Sequence, residues 1–124
     1  MKTWMVALVI LAAGCATANR HIGRAALVTS TLTLVCDGMQ TMKMAGNGWT
    51  GPRGPGYTEM NPIMGERPST GVVGAYFVGA VVLNGLAWVV TPEKYRAAAP
   101  VALTAWQVDT IASNVRSDTG ICGF

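Results

Sequence analysis

Charge is scarce in this sequence. Lys, Arg, Asp and Glu make up 12% of its 124 residues, well short of the quarter found in ordinary soluble domains. A chain of this length makes one small domain with much surface for its volume, and so few charges cannot cover that surface. Lipid is therefore expected as part of its solvent. The net charge of +3 comes from scattered Lys and Arg with no basic run. A nucleic-acid footprint needs positive charge clustered on one face, so that class is excluded. Histidine is almost missing. His21 is the only one, and it lies in the polar stretch after the N-terminal apolar run, so neither a Ser/His/Asp nor a Cys/His arrangement follows from it. The three cysteines, Cys15, Cys36 and Cys122, form no C-x-x-C pair and no Cys/His cluster, so neither a metal nor another cofactor is indicated. An acid pair of Asp37 and Asp109 is the one hydrolytic arrangement left in principle, and the chain reads as a non-enzyme.

What is present begins with an address. Lys2 precedes an apolar run of ten residues, Trp4 to Ala13. That is the layout of a secretory signal peptide, positive and then apolar, with small residues at the cut. Ten residues are too few to cross a hydrocarbon core, which takes about 20 helical residues. The run ends in "LAAGC", Leu11 to Cys15, which resembles the lipobox of bacterial lipoproteins. Ala13 and Gly14 fit the two positions before the cysteine, and Ala12 stands where that family usually has Leu. The resemblance implies cleavage after residue 14, diacylation of Cys15 and a mature chain of residues 15–124.

Three helical segments are predicted after the signal. The first covers about 24–44. Its residues Ser30, Thr33, Asp37, Gln40 and Thr41 recur at three- and four-residue steps and form one polar stripe, with an apolar side opposite. The second, about 70–91, runs 22 residues without a charge, long enough to span a bilayer. It is apolar all round, the mark of a buried or membrane helix. Gly71, Ala75 and Gly79 form a small-residue ridge along it, of the kind that lets membrane helices approach closely. Trp88 sits near its end, where interfacial aromatics belong, and Pro92 stops it. The third segment, about 95–115, carries Pro100 early and Asp109 and Asn114 later. Cys36, in an apolar helix, and Cys122, near the C-terminus, read as two free thiols, although an oxidising compartment would allow them to pair.

The Gly- and Pro-rich loop 46–69 contains "GPRGPG", read as a flexible turn because two triplets cannot make a triple helix. Asn61-Pro62 starts a turn, Gly65 supplies a positive φ, and Ser69 or Thr70 caps the second helix. Asp37, Gln40 and Thr41 at the end of one helix, Glu59, Asn61, Pro62, Ile63, Gly65, Pro68 and Ser69 before the next, and Tyr76-Phe77 within it form a recurring pattern. D-x-x-Q-T followed by E-x-N-P-I-x-G-x-x-P-S resembles a group of uncharacterised small bacterial and phage-encoded membrane proteins. Arg67 stands where that group is expected to have His. The resemblance spans about residues 37–114. It implies a three-helix membrane protein and carries no activity.

The expected fold is all-α, a small bundle of three membrane-embedded helices behind an N-terminal signal segment. Ionisable groups at membrane depth face inward or pair. An interior polar cluster of Asp37, Gln40, Tyr76, Asn84, Asp109 and Asn114 is therefore expected, with Glu59 and Asn61 at its mouth. Interhelical glue is its first role, and a proton or cation site its second. The function expected is a structural or accessory one, as a small membrane-embedded lipoprotein of the bacterial envelope. The competing expectations are a holin-like membrane-lesion protein and a proton or cation carrier or sensor. The partners expected are the bilayer and a second copy meeting through Gly71, Ala75 and Gly79. The inner membrane is favoured over the outer because uncharged spanning helices normally stay there. Positive charge does not choose an orientation. Lys43, Arg53, Arg67 and Arg116 balance Arg20, Arg24, Lys94 and Arg96 on the opposite side.

Overall fold

The computed structural model describes residues 20–51, 54–59, 61–116, 120 and 122. The expected signal segment 1–14 and Cys15 lie outside these residues. Among the described residues the regular structure is helical apart from one short two-stranded bridge. Helix α1 is Arg20–Gly46, α2 is Thr70–Val90 and α3 is Ala98–Arg116. Short strands β1, Thr50–Gly51, and β2, Gly54–Pro55, pair antiparallel inside the long loop. The loop expected to be a flexible turn at "GPRGPG" is thus closed on itself at its start.

Each helix boundary has a local cause. The last turn of α1 ends in a Schellman motif. Trp49 N–H donates to the Met44 carbonyl at 2.9 Å and Gly48 N–H to that of Ala45 at 3.1 Å, while Gly48 takes φ +64°, the left-handed cap position where a Cβ is penalised. Trp49 also has a positive φ, 59°. Its buried indole N–H donates to the Pro68 carbonyl at 3.1 Å, so the two ends of the loop are clasped together. Ser69 caps α2, its hydroxyl accepting from Val72 N–H. At the far end Arg96 donates to the Thr91 carbonyl at 2.9 Å and stacks on the Trp88 ring at 4.9 Å. A 3₁₀ turn, Glu93–Tyr95, includes Tyr95, the residue expected to begin the third helix, and α3 starts at Ala98. Pro100 is its third residue, where the missing N–H leaves no intrahelical bond unmade.

Helix α1 is the centre of the bundle. Both α2 and α3 pack along it, and they barely meet each other. The approach of α2 depends on Gly38. A Cβ there would lie 2.9 Å from Phe77 Cγ, closer than packed atoms allow. Replacing Gly38 with Ala gains up to about 1 kcal/mol of helix propensity. Overpacking costs about 1–3 kcal/mol and wins. Gly38→Ala is therefore expected to destabilise by about 1 kcal/mol. Gly79→Ala, with nothing within 4 Å, should keep the propensity gain. Denaturant unfolding of the two purified variants checks this. Equal stabilisation by both would refute the close approach.

The apolar residues lie mostly outside. Seven are buried, among them Leu34, Met64, Val73 and Phe77, and eighteen large ones are exposed among the described residues. On α1 the exposed residues Val28, Leu32, Val35, Met39 and Met42 form the stripe opposite the polar one. On α2 Val78, Val82, Leu86 and Val89 are exposed. Ser30 and Gln40 are fully enclosed, with Asp37, Thr41, Asn84 and Gln107 nearly so. Helix α2 is long and apolar enough to cross a membrane. At 1.5 Å per residue it measures about 31 Å, and most of it lies on the outside of the bundle.

Candidate functional site

The polar stripe of α1 faces the other two helices, as its spacing requires. Its hydroxyls are tied back to their own helix. Ser30 and Thr31 both donate to the Leu27 carbonyl, at 2.9 and 2.8 Å, which lets polar side chains sit in a dry helix without orphaned hydrogens. Two separate polar nodes result. In the lower one, Asn84 of α2 donates to Ser30 Oγ at 2.8 Å and to Thr31 Oγ1 at 3.3 Å. In the upper one, the side-chain amide of Asn114 on α3 donates to Asp37 Oδ1 and to Gln40 Oε1, each at 3.1 Å. Gln40 in turn donates to the Gly120 carbonyl at 2.8 Å, so the tail after α3 is held against α1. A disulfide joins Cys36 to Cys122 in the same place. The two thiols expected to be free are one covalent link, because the amide chain Asn114–Gln40–Gly120 folds the tail back beside Cys36.

Three of the eight residues expected in one cluster form the upper node, Asp37, Gln40 and Asn114. Asn84 belongs to the lower node instead. Asp109 does not join either. It is exposed on the outer face of α3, together with Ser113. The reason is helical phase. Asp109 precedes Asn114 by five residues, which at about 100° each puts them some 140° apart, so one points inward and the other outward. An acid pair of Asp37 and Asp109 is thereby overturned. Gln107, by contrast, shares the inner face with Leu103, Thr110 and Asn114, and it is buried. The same phase count applied to the sequence would have found it.

Glu59, Asn61 and Tyr76 line one groove with Asp37, Asn84 and Gln107. The loop motif builds the rim. Glu59 Oε1 accepts from Asn61 N–H at 2.9 Å, and Asn61 Oδ1 accepts from Ile63 N–H at 3.0 Å. Gly65 turns the chain back at φ +81°, and Glu59 N–H donates to the Glu66 carbonyl at 2.8 Å. Glu59 lies within electrostatic reach of Asp37. The groove has a volume of about 700 Å³. Helix α1 is its floor, and its walls are the facing sides of α2 and α3, which the fold holds apart. Tyr76 packs edge-on against Phe77 with ring centroids 5.2 Å apart. Among the described residues no three His, Cys, Asp or Glu side chains come together in a way that could hold a metal ion.

Gly71 and Ala75 are exposed and Gly79 is partly so. Among the described residues no other helix comes within contact of a Cβ placed on Gly71 or Gly79, so within them the ridge is unused.

Compared with protein-family models, with curated proteins and with solved structures, the chain matches none.

Proposed function

We propose that this is a small membrane-embedded protein with a structural or accessory role in the bacterial envelope, in which α1, α2 and α3 all cross the bilayer and α3 covers the polar stripe of α1. The observation that carries this is the reversed distribution of polarity, with amides, hydroxyls and a carboxyl inside and Val, Leu and Met outside. In water such a molecule would expose apolar area far beyond the few hundred Å² that soluble monomers tolerate. In lipid the arrangement is the stable one, because interhelical polar bonds replace the hydrophobic drive. The ends of the bundle support it. Trp88, Tyr95, Lys94 and Arg96 gather at the α2–α3 turn, with Lys94 over the Tyr95 ring at 4.8 Å, the composition of a membrane interface. Lys43 and Arg67 lie at the opposite end. The exposed ridge at Gly71, Ala75 and Gly79 is a fitting surface for a second copy or another membrane helix.

The disulfide bears on orientation. Disulfides persist on the oxidising side of the inner membrane. Three crossings put Cys15 and the tail on opposite sides. A disulfide without lipid therefore fits the inner membrane with the loop and tail facing outward. A disulfide together with a diacylated Cys15 fits the outer membrane, neither side of which is reducing. A lipidated Cys15 without a disulfide fits the inner membrane in the reverse orientation. The first arrangement is the one proposed, since uncharged spans stay in the inner membrane. The expected result is a protein that resists carbonate washing of membranes and whose unreduced intact mass shows one disulfide and no acyl chains. Release by carbonate would overturn the membrane placement, and either lipidated form would overturn the orientation.

A further inference from the structure

We propose that the groove between α2 and α3 binds a protonated primary amine carried on an apolar body, with Asp37 and Gln107 receiving its N–H groups. Two features of the groove are not explained by helix packing. Gln107 is 7% exposed, and its Oε1 is fully buried and accepts nothing from the described residues. Leaving an acceptor dry and unpaired costs about 1–3 kcal/mol, so a residue that only filled space would be better apolar. Asp37 is equally buried. Asn114 occupies one of its oxygens, and the other receives no hydrogen bond from the described residues. Both side chains line the same cavity.

The chemistry of the occupant follows from what the groove offers. The unpaired oxygens of Gln107 and Asp37 are acceptors, so a ligand that meets them must bring donors. Among the described residues the groove's lining carries two acids, Asp37 and Glu59, and no base, so the ligand should be cationic and should carry no anion of its own. Most of the remaining wall is apolar, with Phe77 and Trp106 among its aromatics and Leu83 and Leu103 among its aliphatics, so the body behind the cation should be apolar. Aromatic faces add to the attraction for an ammonium group. The volume of about 700 Å³ lies in the range of small-molecule sites. A primary ammonium has three donors, enough for Asp37 and Gln107 together. A quaternary ammonium has none, and an alcohol has one and no charge. A phospholipid amine would bring a phosphate to two carboxylates with no base to meet it.

The site rests on the bundle and not on its placement in a membrane, so the two readings fail separately. The full chain is purified in dodecylmaltoside and titrated with n-octylammonium by calorimetry. Saturable one-to-one binding is expected, at least about tenfold tighter than that of octanol or trimethyloctylammonium, as expected for hydrogen bonds to a charged group. Asp37→Asn should weaken it at least as much. Because that change also touches the Asn114 bond, Gln107→Leu is the second variant. It keeps the volume, removes the unpaired acceptor and should bind octylammonium about tenfold more weakly while binding octanol unchanged. Equal binding of octylammonium and octanol would overturn the proposal, as would wild-type affinity in Gln107→Leu or no saturable heat from a folded protein. In nanodiscs of phosphatidylcholine, adding phosphatidylethanolamine should leave the affinity unchanged. Competition by that lipid would overturn the exclusion of anion-bearing amines.

Discussion

Replacing both Cys36 and Cys122 with Ser is expected to lower stability by about 3 kcal/mol. The bond closes a sequence separation of 86 residues. A freely coiling loop of that length would give about 4 to 5 kcal/mol. The unfolded chain in a micelle keeps much of its helix, so less freedom is restricted and the gain is smaller. The effect should also spread. Gly120 is held beside Gln40 by one hydrogen bond, and Gln40 has no exposed surface. Once the tail leaves, the Gln40 amide loses its partner in a dry setting, and the contact of α3 with α1 through Asn114 should loosen with it. The measurement is denaturant unfolding in micelles, with and without reductant, for wild type and the double variant. Reductant should move wild type to the variant's midpoint and leave the variant unmoved. A loss under about 1 kcal/mol, small beside the usual range for native disulfides, would show that the tail is not part of the folded unit.

Charged substitutions on the outer surface should have an effect of similar size in lipid and a small one in water. Leu32 is 64% exposed and Val78 66% exposed, and each lies near the middle of its helix. On a water-facing surface Leu32→Lys and Val78→Lys would change stability by no more than about 0.5 kcal/mol. In a bilayer a lysine at the centre of a spanning helix costs about 3 kcal/mol. Both variants are expected to insert poorly and to unfold about 3 kcal/mol more easily in bilayer nanodiscs. Ser113→Lys, on the outer face of α3 near its end, should be close to neutral. The two positions also separate the helices. A large effect at Val78 with none at Leu32 would leave α2 in the membrane and put the outer face of α1 in water. No effect at either would remove the membrane placement altogether.

Much of this molecule could be read from residues and their spacing. The charge-free run from Thr70, the stop at Pro92 and the cap at Ser69 are local effects, and local effects set α2 almost to the residue. The same holds for the rim of the groove, where Asn61-Pro62 and Gly65 turn the chain as their backbone preferences require. The stripe of Ser30, Asp37, Gln40 and Thr41 was legible because periodicity alone decides which side chains share a face. The ends of α1 were less so. The segment extends back to Arg20 and forward to Gly46, because polar residues at helix ends carry little periodic signal and the closing Schellman turn recruits Trp49, a residue with no preference for a positive φ.

Partnership between segments far apart in the chain was settled only by the tertiary structure. Asp37 and Asp109 look equivalent as acids in apolar helices, yet the rotation of α3 against α1 turns one inward and the other out. Asn84 finds Ser30 and Thr31 rather than Asp37 because α2 crosses α1 where Gly38 admits Phe77, and that crossing fixes which turns face each other. Cys36 and Cys122 carry no mark of pairing, since their closeness depends on a tail that returns only through the amides of Asn114 and Gln40. Composition by itself set the expectation of lipid as part of the solvent, and periodicity determined which residues turn inward. The choice among inward residues, between bonding each other and lining an open groove, depends on distances between helices, and no local preference encodes those.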